Sequence, residues 1–303
     1  MKAKKIIVAL IFFTVLFGVS SAFIRSNGVH EFQPLEHTAS SREIITSMLG
    51  AIDNTRTLQY NFRSYERLEG GKNFFTEMDM KVNISPVKVY GFTKSEPNKG
   101  VEVLYVHGQR DNKAYVNPGN WLPNVKLSPF GGRMRENQHH TLLDTGFGLL
   151  AGIIKDAIRR ADTDMPGEFE SFCRYEGDVN WQGRECYKVV IDDPTFTYVD
   201  YKVQEGDDID KIALRKHICG YLIIEKNQDV KNWNSLKPGM TIKIPSSYAK
   251  KTVLFIDKQN YLPIVQTMYD EVGQFEKYEF HNLSVNPTFK EIEFTPDFDG
   301  YDF

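Results

Sequence analysis

Apolar positions change their period several times along the chain, and each change marks an element. Ile44, Ile45, Met48, Leu49 and Ile52 recur at helical spacing behind Ser40 or Ser41 as a cap, with Glu43 in the first turn. This predicts an amphipathic helix ending near Asn54. From Leu58 the period falls to two, with Tyr60, Phe62 and Ser64 alternating against Asn61, Arg63 and Tyr65. Alternation resumes after Gly70-Gly71 over residues 74–83, then over 87–92, 100–107 and 113–116, divided by turns rich in Pro, Gly and Asn. A meander of antiparallel strands is expected. Residues 117–137 are a Pro/Gly-rich crossing. Residues 142–160 then read as a helix with Phe147, Leu149, Leu150, Ile153 and Ile154 on its apolar side, weakened early by Gly146, Gly148 and Gly152. Segments 169–175 and 184–191 form a hairpin, and 252–257, 262–269 and 274–281 supply the last strands.

The beginning of the chain sets the compartment. Lys2, Lys4 and Lys5 precede a continuous apolar run over residues 6–19, and Ser20-Ser21-Ala22 supplies small residues. This is the pattern of a signal peptide cleaved near Ala22. The alternative is an uncleaved anchor, although the run falls short of the roughly 20 residues that span a bilayer. Either way the rest is exported, to the periplasm or cell envelope, with residues 23–40 as a linker. A net charge of −3 leaves no basic footprint for nucleic acid. Aromatic residues at 13% favour sheet. Cys173 and Cys186 flank a turn containing Gly177, Asp178, Asn180 and Gly183, so they are either a disulfide across the hairpin or two small buried hydrophobes. Cys219 is left over, and its spacing to His217 gives no metal pattern.

A differently patterned block lies between these strands. Tyr201-Lys202-Val203-Gln204-Glu205-Gly206-Asp207-Asp208-Ile209 opens it, Ile212 and Ala213 continue a helix that Asp207 or Asp208 can cap, and Asn227 follows a second apolar stretch. Pro238-Gly239 suits a type II turn into the strand Met240 to Ile244, which ends at Pro245. Over residues 201–245 this order resembles the LysM domain, a small βααβ module, here occupying residues 200–246. The resemblance implies binding of peptidoglycan or another N-acetylglucosamine glycan in a groove formed by Gly206, Asp207, Asp208, Ile209, Asn227, Asp229 and Val230. Two departures stand out: Asp208 replaces the usual Thr or Ser, and Cys219-Gly220-Tyr221 lies at the second helix.

The flanking segments carry a second resemblance. Val253 to Asp257 is an apolar strand ending in Asp, Leu262-Pro263-Ile264-Val265 follows, and Asn286 and Phe294-Thr295-Pro296 come later. The pattern is similar to the end of LolA/LolB-type lipoprotein carriers and to a family of uncharacterised exported LolA-like proteins. It implies an α+β fold: a strongly curved antiparallel sheet forming an unclosed barrel, with covering helices, from residues 41–199 and 250–303. A lipid or lipidated protein is the implied partner. Phe62, Met78, Met80, Phe92, Leu104, Phe147 and Leu150 are the candidate lining residues, because burying each CH₂ of an acyl chain contributes about 0.8 kcal/mol. Ordinary core is the alternative reading of the same stripes.

Chemistry for catalysis is sparse. The sequence has no Gly-x-Ser-x-Gly elbow, phosphate-cradling loop or metalloprotease helix. His139-His140 read as surface polar residues, since adjacent side chains do not readily share a metal. A non-enzymatic envelope protein without cofactor or metal is therefore expected, binding glycan through the module and lipid through the sheet. A wall adaptor without lipid cargo and an unrecognised wall hydrolase are the competing readings.

Overall fold

Helix α1 (Ser41–Asp53) begins where the sequence places its cap. The Ser40 hydroxyl accepts from the Glu43 backbone N–H, and the Glu43 carboxylate accepts from that of Ser40 at 2.9 Å. This reciprocal box satisfies two of the donors that a helix start leaves bare. The inner face of α1 buries Ile44, Ile45, Met48, Ala51 and Ile52. The computed structural model describes residues 39–303 apart from 120, 165 and 168. The expected signal peptide and most of the linker lie outside the described residues.

Five long alternating segments become β1 (Thr57–Leu68), β2 (Lys72–Asn83), β3 (Lys88–Thr93), β4 (Glu102–Val106) and β5 (Ala114–Asn117). A short β6 (Val125–Leu127) arises inside the Pro/Gly crossing. Helices α2 (Gly148–Asp164) and α3 (Phe169–Phe172) precede the hairpin β7 (Cys173–Trp181) and β8 (Arg184–Asp192). The chain closes with β11 (Lys251–Asp257), β12 (Pro263–Tyr269) and β13 (Gln274–Val285). Among the described residues these form one antiparallel sheet of order β6-β5-β4-β3-β2-β1-β13-β12-β11-β8-β7, with β6 and β7 as its two ends. The sheet does not close.

Two helical expectations shift. Residues 142–144 form a 3-10 turn capped by Thr141, and α2 begins only after Gly146, whose φ of +84° breaks the helix. Phe169–Phe172 is a helical turn, so strand β7 starts at Cys173. The disulfide is also corrected. In the β7–β8 ladder Cys173 faces Ile191 and Cys186 faces Val179, so the two lie at opposite ends of the ladder. Both thiols are free and buried, the small-hydrophobe alternative.

Register sets which side chains meet. Tyr60 pairs with Met80, Phe62 with Met78 and Ser64 with Thr76. Phe62 also pairs with Phe280, Ser64 with Tyr278 and Glu66 with Glu276. Tyr278 in turn pairs with Gln266, and Glu276 with Met268. Because strand side chains alternate, all of these share one face.

Between β8 and β11 the chain leaves the large sheet. It forms β9 (Tyr198–Lys202), α4 (Ile209–Lys216), α5 (Gly220–Lys226) and β10 (Thr241–Pro245), with β9 and β10 paired in a two-stranded sheet of their own. Val203, Ile209, Ile212, Ile223, Trp233 and Ile242 belong to a separate core cluster. Asp208 caps α4 by accepting from the Lys211 N–H at 2.8 Å. The Asn227 side chain donates to the carbonyls of Ile223 and Lys243 and accepts from the Lys243 N–H, which ties α5 to β10. Chain entry and exit are adjacent: Tyr198 pairs with Pro245, and Asp192 with Lys251 across β8 and β11.

Candidate functional site

The shared sheet face and α2 enclose an apolar cavity. Tyr60, Phe62, Met78, Met80, Met268 and Phe280 line it from the sheet, and Leu142, Leu149, Leu150 and Ile153 from the opposite side. The cavity holds about 120 Å³. That is comparable with the ~150 Å³ of engineered apolar cavities that take up a benzene-sized ligand. It matches one ring or a short stretch of acyl chain, not a whole lipid. Gly91, opposite Met80 on β3, leaves room for the methionine ends: a Cβ there would lie 2.8 Å from Met78 Cε and 3.1 Å from Met80 Sδ.

Of the seven lining candidates, Phe62, Met78, Met80 and Leu150 reach the cavity. Phe147 is buried beside it against Phe280, with ring centroids 4.5 Å apart. Phe92 and Leu104 do not take part. Gly91 faces Met80, so its neighbours Tyr90 and Phe92 point to the other side of the sheet, where Leu104 pairs with Tyr90. There they pack with Phe294, Tyr301 and Phe303 of the C-terminal segment.

One end of the cavity is polar. Glu276 of β13 is fully buried. Its Oε2 accepts from the Tyr248 hydroxyl at 2.7 Å. Its Oε1 lies 2.8 Å from His139 Nδ1, 3.2 Å from His140 Nε2 and 3.4 Å from Cys219 Sγ. The neighbouring Glu66 accepts from the Tyr278 hydroxyl at 2.7 Å and from the His139 backbone N–H at 3.2 Å. Burial works against charge on Glu276, His139 and His140, yet their opposite charges outweigh it. The Glu276 carboxyl is held well below the usual carboxylate range by His140 and His139. His140 is pushed up to about 9 by Glu276, and His139 is raised by Glu66 and Glu276. The expectation that this histidine pair sits at the surface is therefore overturned: His139 is buried, and His140 lines the cavity.

The same network docks the inserted module. Arg67 of β1 pairs with Asp270 at 2.5 Å and with Glu225 of α5 at 2.7 Å. Arg135, in the crossing before α2, pairs with Asp210 of α4 and stacks over Trp233 at 3.2 Å. The Tyr221 ring stacks on His139 at 4.1 Å between centroids.

Within the module, the glycan candidates have different settings. Gly206 and Asp229 are exposed, and Asp208 is half-buried as a helix cap. Asp207 accepts from the Tyr201 hydroxyl at 2.7 Å and pairs with Arg215. Asn227 is the clamp between α5 and β10. The Ile209 and Val230 side chains belong to the module's core.

A family model described as a protein of unknown function (DUF1571) matches residues 56–205, which end within the inserted block. No curated protein sequence matches the chain. Solved structures similar to it include the Mycobacterium tuberculosis lipoprotein LppX, at 10% identity and TM-score 0.38, covering 82% of this chain and 97% of that one. LprF from Mycobacterium bovis is similar at 12% identity and TM-score 0.38, covering 82% and 94%. A LolA superfamily protein from Nitrosomonas europaea follows at 7% identity and TM-score 0.30, covering 84% and 97%.

Proposed function

We propose that this is a non-enzymatic protein of the cell envelope whose large sheet takes an apolar chain into the cavity against α2, while the inserted βααβ module is a LysM-type reader of N-acetylglucosamine glycans. The observation that carries the first part is the cavity itself, an apolar space among Phe62, Met78, Met80, Leu150 and Met268. Its size suits the end of an acyl chain, with the remainder of the ligand outside. The Ser64→Phe variant tests this. Ser64 lines the cavity from the middle of β1, where a phenyl ring is compatible with strand geometry. The ring would fill the space, and binding of a fluorescent fatty acid is expected to weaken about tenfold or more, a loss of roughly 1.4 kcal/mol or above. Equal affinity in the two proteins would end the lipid reading and favour an adaptor with a filled core.

Support for the glycan part comes from the order of the module's elements and its residue pattern. Asp208→Thr restores the residue usual in LysM at that position and keeps a competent helix cap. Its affinity for soluble chitooligosaccharides, measured by calorimetry on the whole chain, is expected to rise about two- to tenfold, the worth of one neutral hydrogen bond. No heat from either protein would remove glycan from the proposal.

A further inference from the structure

Behind the polar end of the cavity, three donors from distant parts of the chain converge. His139 Nδ1, Cys219 Sγ and a Glu276 carboxylate oxygen all lie within 4.8 Å of one another, and all three residues are buried. They come from the segment between β6 and α2, from the start of α5 and from β13. The protons around them are hard to place. His139 Nε2 is 2.8 Å from the Arg67 carbonyl, which can only accept, so Nε2 carries the hydrogen. A neutral His139 then aims its Nδ1 lone pair at the Glu276 oxygen 2.8 Å away. Either a proton, which makes His139 an imidazolium paired with Glu276, or a metal ion can occupy the space between these two atoms. The same oxygen is also approached by His140 Nε2 at 3.2 Å and Cys219 Sγ at 3.4 Å, three partners for two lone pairs. A metal-bound histidine typically gives its other N–H to a backbone carbonyl, as His139 does here.

We propose that His139, Cys219 and Glu276 form a binding site for a borderline-soft divalent cation of the zinc class. A thiolate, an imidazole and a carboxylate are the donor set such an ion takes, with a fourth place for water or for His140. On binding, the Cys219 S–H bond is replaced by a sulfur–metal bond and the proton leaves to solvent. The ion would join the inserted module to the sheet directly beside the cavity, which assigns Cys219, otherwise unexplained at the second helix, to a role outside the glycan groove.

Cobalt(II) is the probe, because a single thiolate ligand gives a near-ultraviolet charge-transfer band and tetrahedral coordination gives intense visible bands. The full chain, stripped with chelator, is titrated with cobalt both folded and during refolding, since the site is buried. One equivalent with a thiolate band is expected, displaced by zinc. The band should vanish in Cys219→Ser, and affinity should fall at least about tenfold in His139→Gln. The Cys173→Ser/Cys186→Ser double variant, which keeps Cys219 as the sole thiol, should retain the band and controls for binding by other thiols. Ser64→Phe should retain it as well, so failure of the lipid reading leaves this result standing. Absence of stoichiometric cobalt after refolding, or a band that survives in Cys219→Ser, would overturn the site and leave His139 and Glu276 as a proton-mediated ion pair.

Discussion

Replacing Arg67 by methionine is expected to destabilise the folded chain by about 3–5 kcal/mol, the usual cost of removing one member of a buried ion pair. The Arg67 side chain is 8% exposed and that of Asp270 2%, so the abandoned carboxylate would have little access to water. The backbone N–H groups of Val272 and Gly273 donate to Asp270 but cannot neutralise it. Denaturant titration at neutral pH measures the loss. The acid dependence is a second readout. Burial opposes the charge of Asp270, but Arg67 and those N–H groups hold its carboxyl below the usual range. A depressed native pKa gives stability that is present above the unfolded carboxyl value, near 3.9, and lost as pH falls through the native one. The parent chain should therefore weaken below about pH 4, and the methionine variant, already deprived of the pair, should weaken less. A variant within about 1 kcal/mol of the parent with the same acid limb would mean that Arg67 is not a structural anchor.

Truncating Trp233 to alanine is the other large effect, about 3–5 kcal/mol, but it should be local. The indole fits against Gly220, where a Cβ would sit 2.8 Å from the ring, and it lies under the Arg135 guanidinium. A unit of fewer than roughly 60 residues has little stability to spare, so this loss is enough to melt it. Hydrogen exchange should show protection lost over residues 198–245 and kept in β1, β2 and β13. Uniform loss across the chain would show instead that module and sheet unfold as one.

Most strands were legible because apolar and polar residues alternate along them between turns rich in Gly, Pro and Asn. The alternation of Tyr60, Phe62 and Ser64 and the Gly and Pro turns locate β1 to β5 within a few residues. The helix break at Gly146 was visible only as a weakness, since a glycine in a helical run shows its φ only in the folded chain. Phe92 and Leu104 were misplaced for a different reason. Their strands are apolar on both sides, and the sequence does not say that the C-terminal Phe294, Tyr301 and Phe303 cover the second face. The polar cluster was almost invisible, because His139, Cys219 and Glu276 are separated by long stretches of chain. One signal was available: Glu276 sits two and four residues before Tyr278 and Phe280, at an inward position of a strand. A carboxylate on an inward parity requires a buried partner.

The adjacent entry and exit of the inserted module bear on how the chain finds its fold. Strand β11 must meet β8 across about sixty residues, and the closure entropy of such a loop grows as (3/2)RT ln n. When β9 and β10 zip first, the effective loop shrinks to the few residues on either side of Tyr198 and Pro245, lowering that cost by about 1–2 kcal/mol. In that order of events the insert acts as a splint, and the two halves of the sheet meet across about ten free residues instead of about sixty.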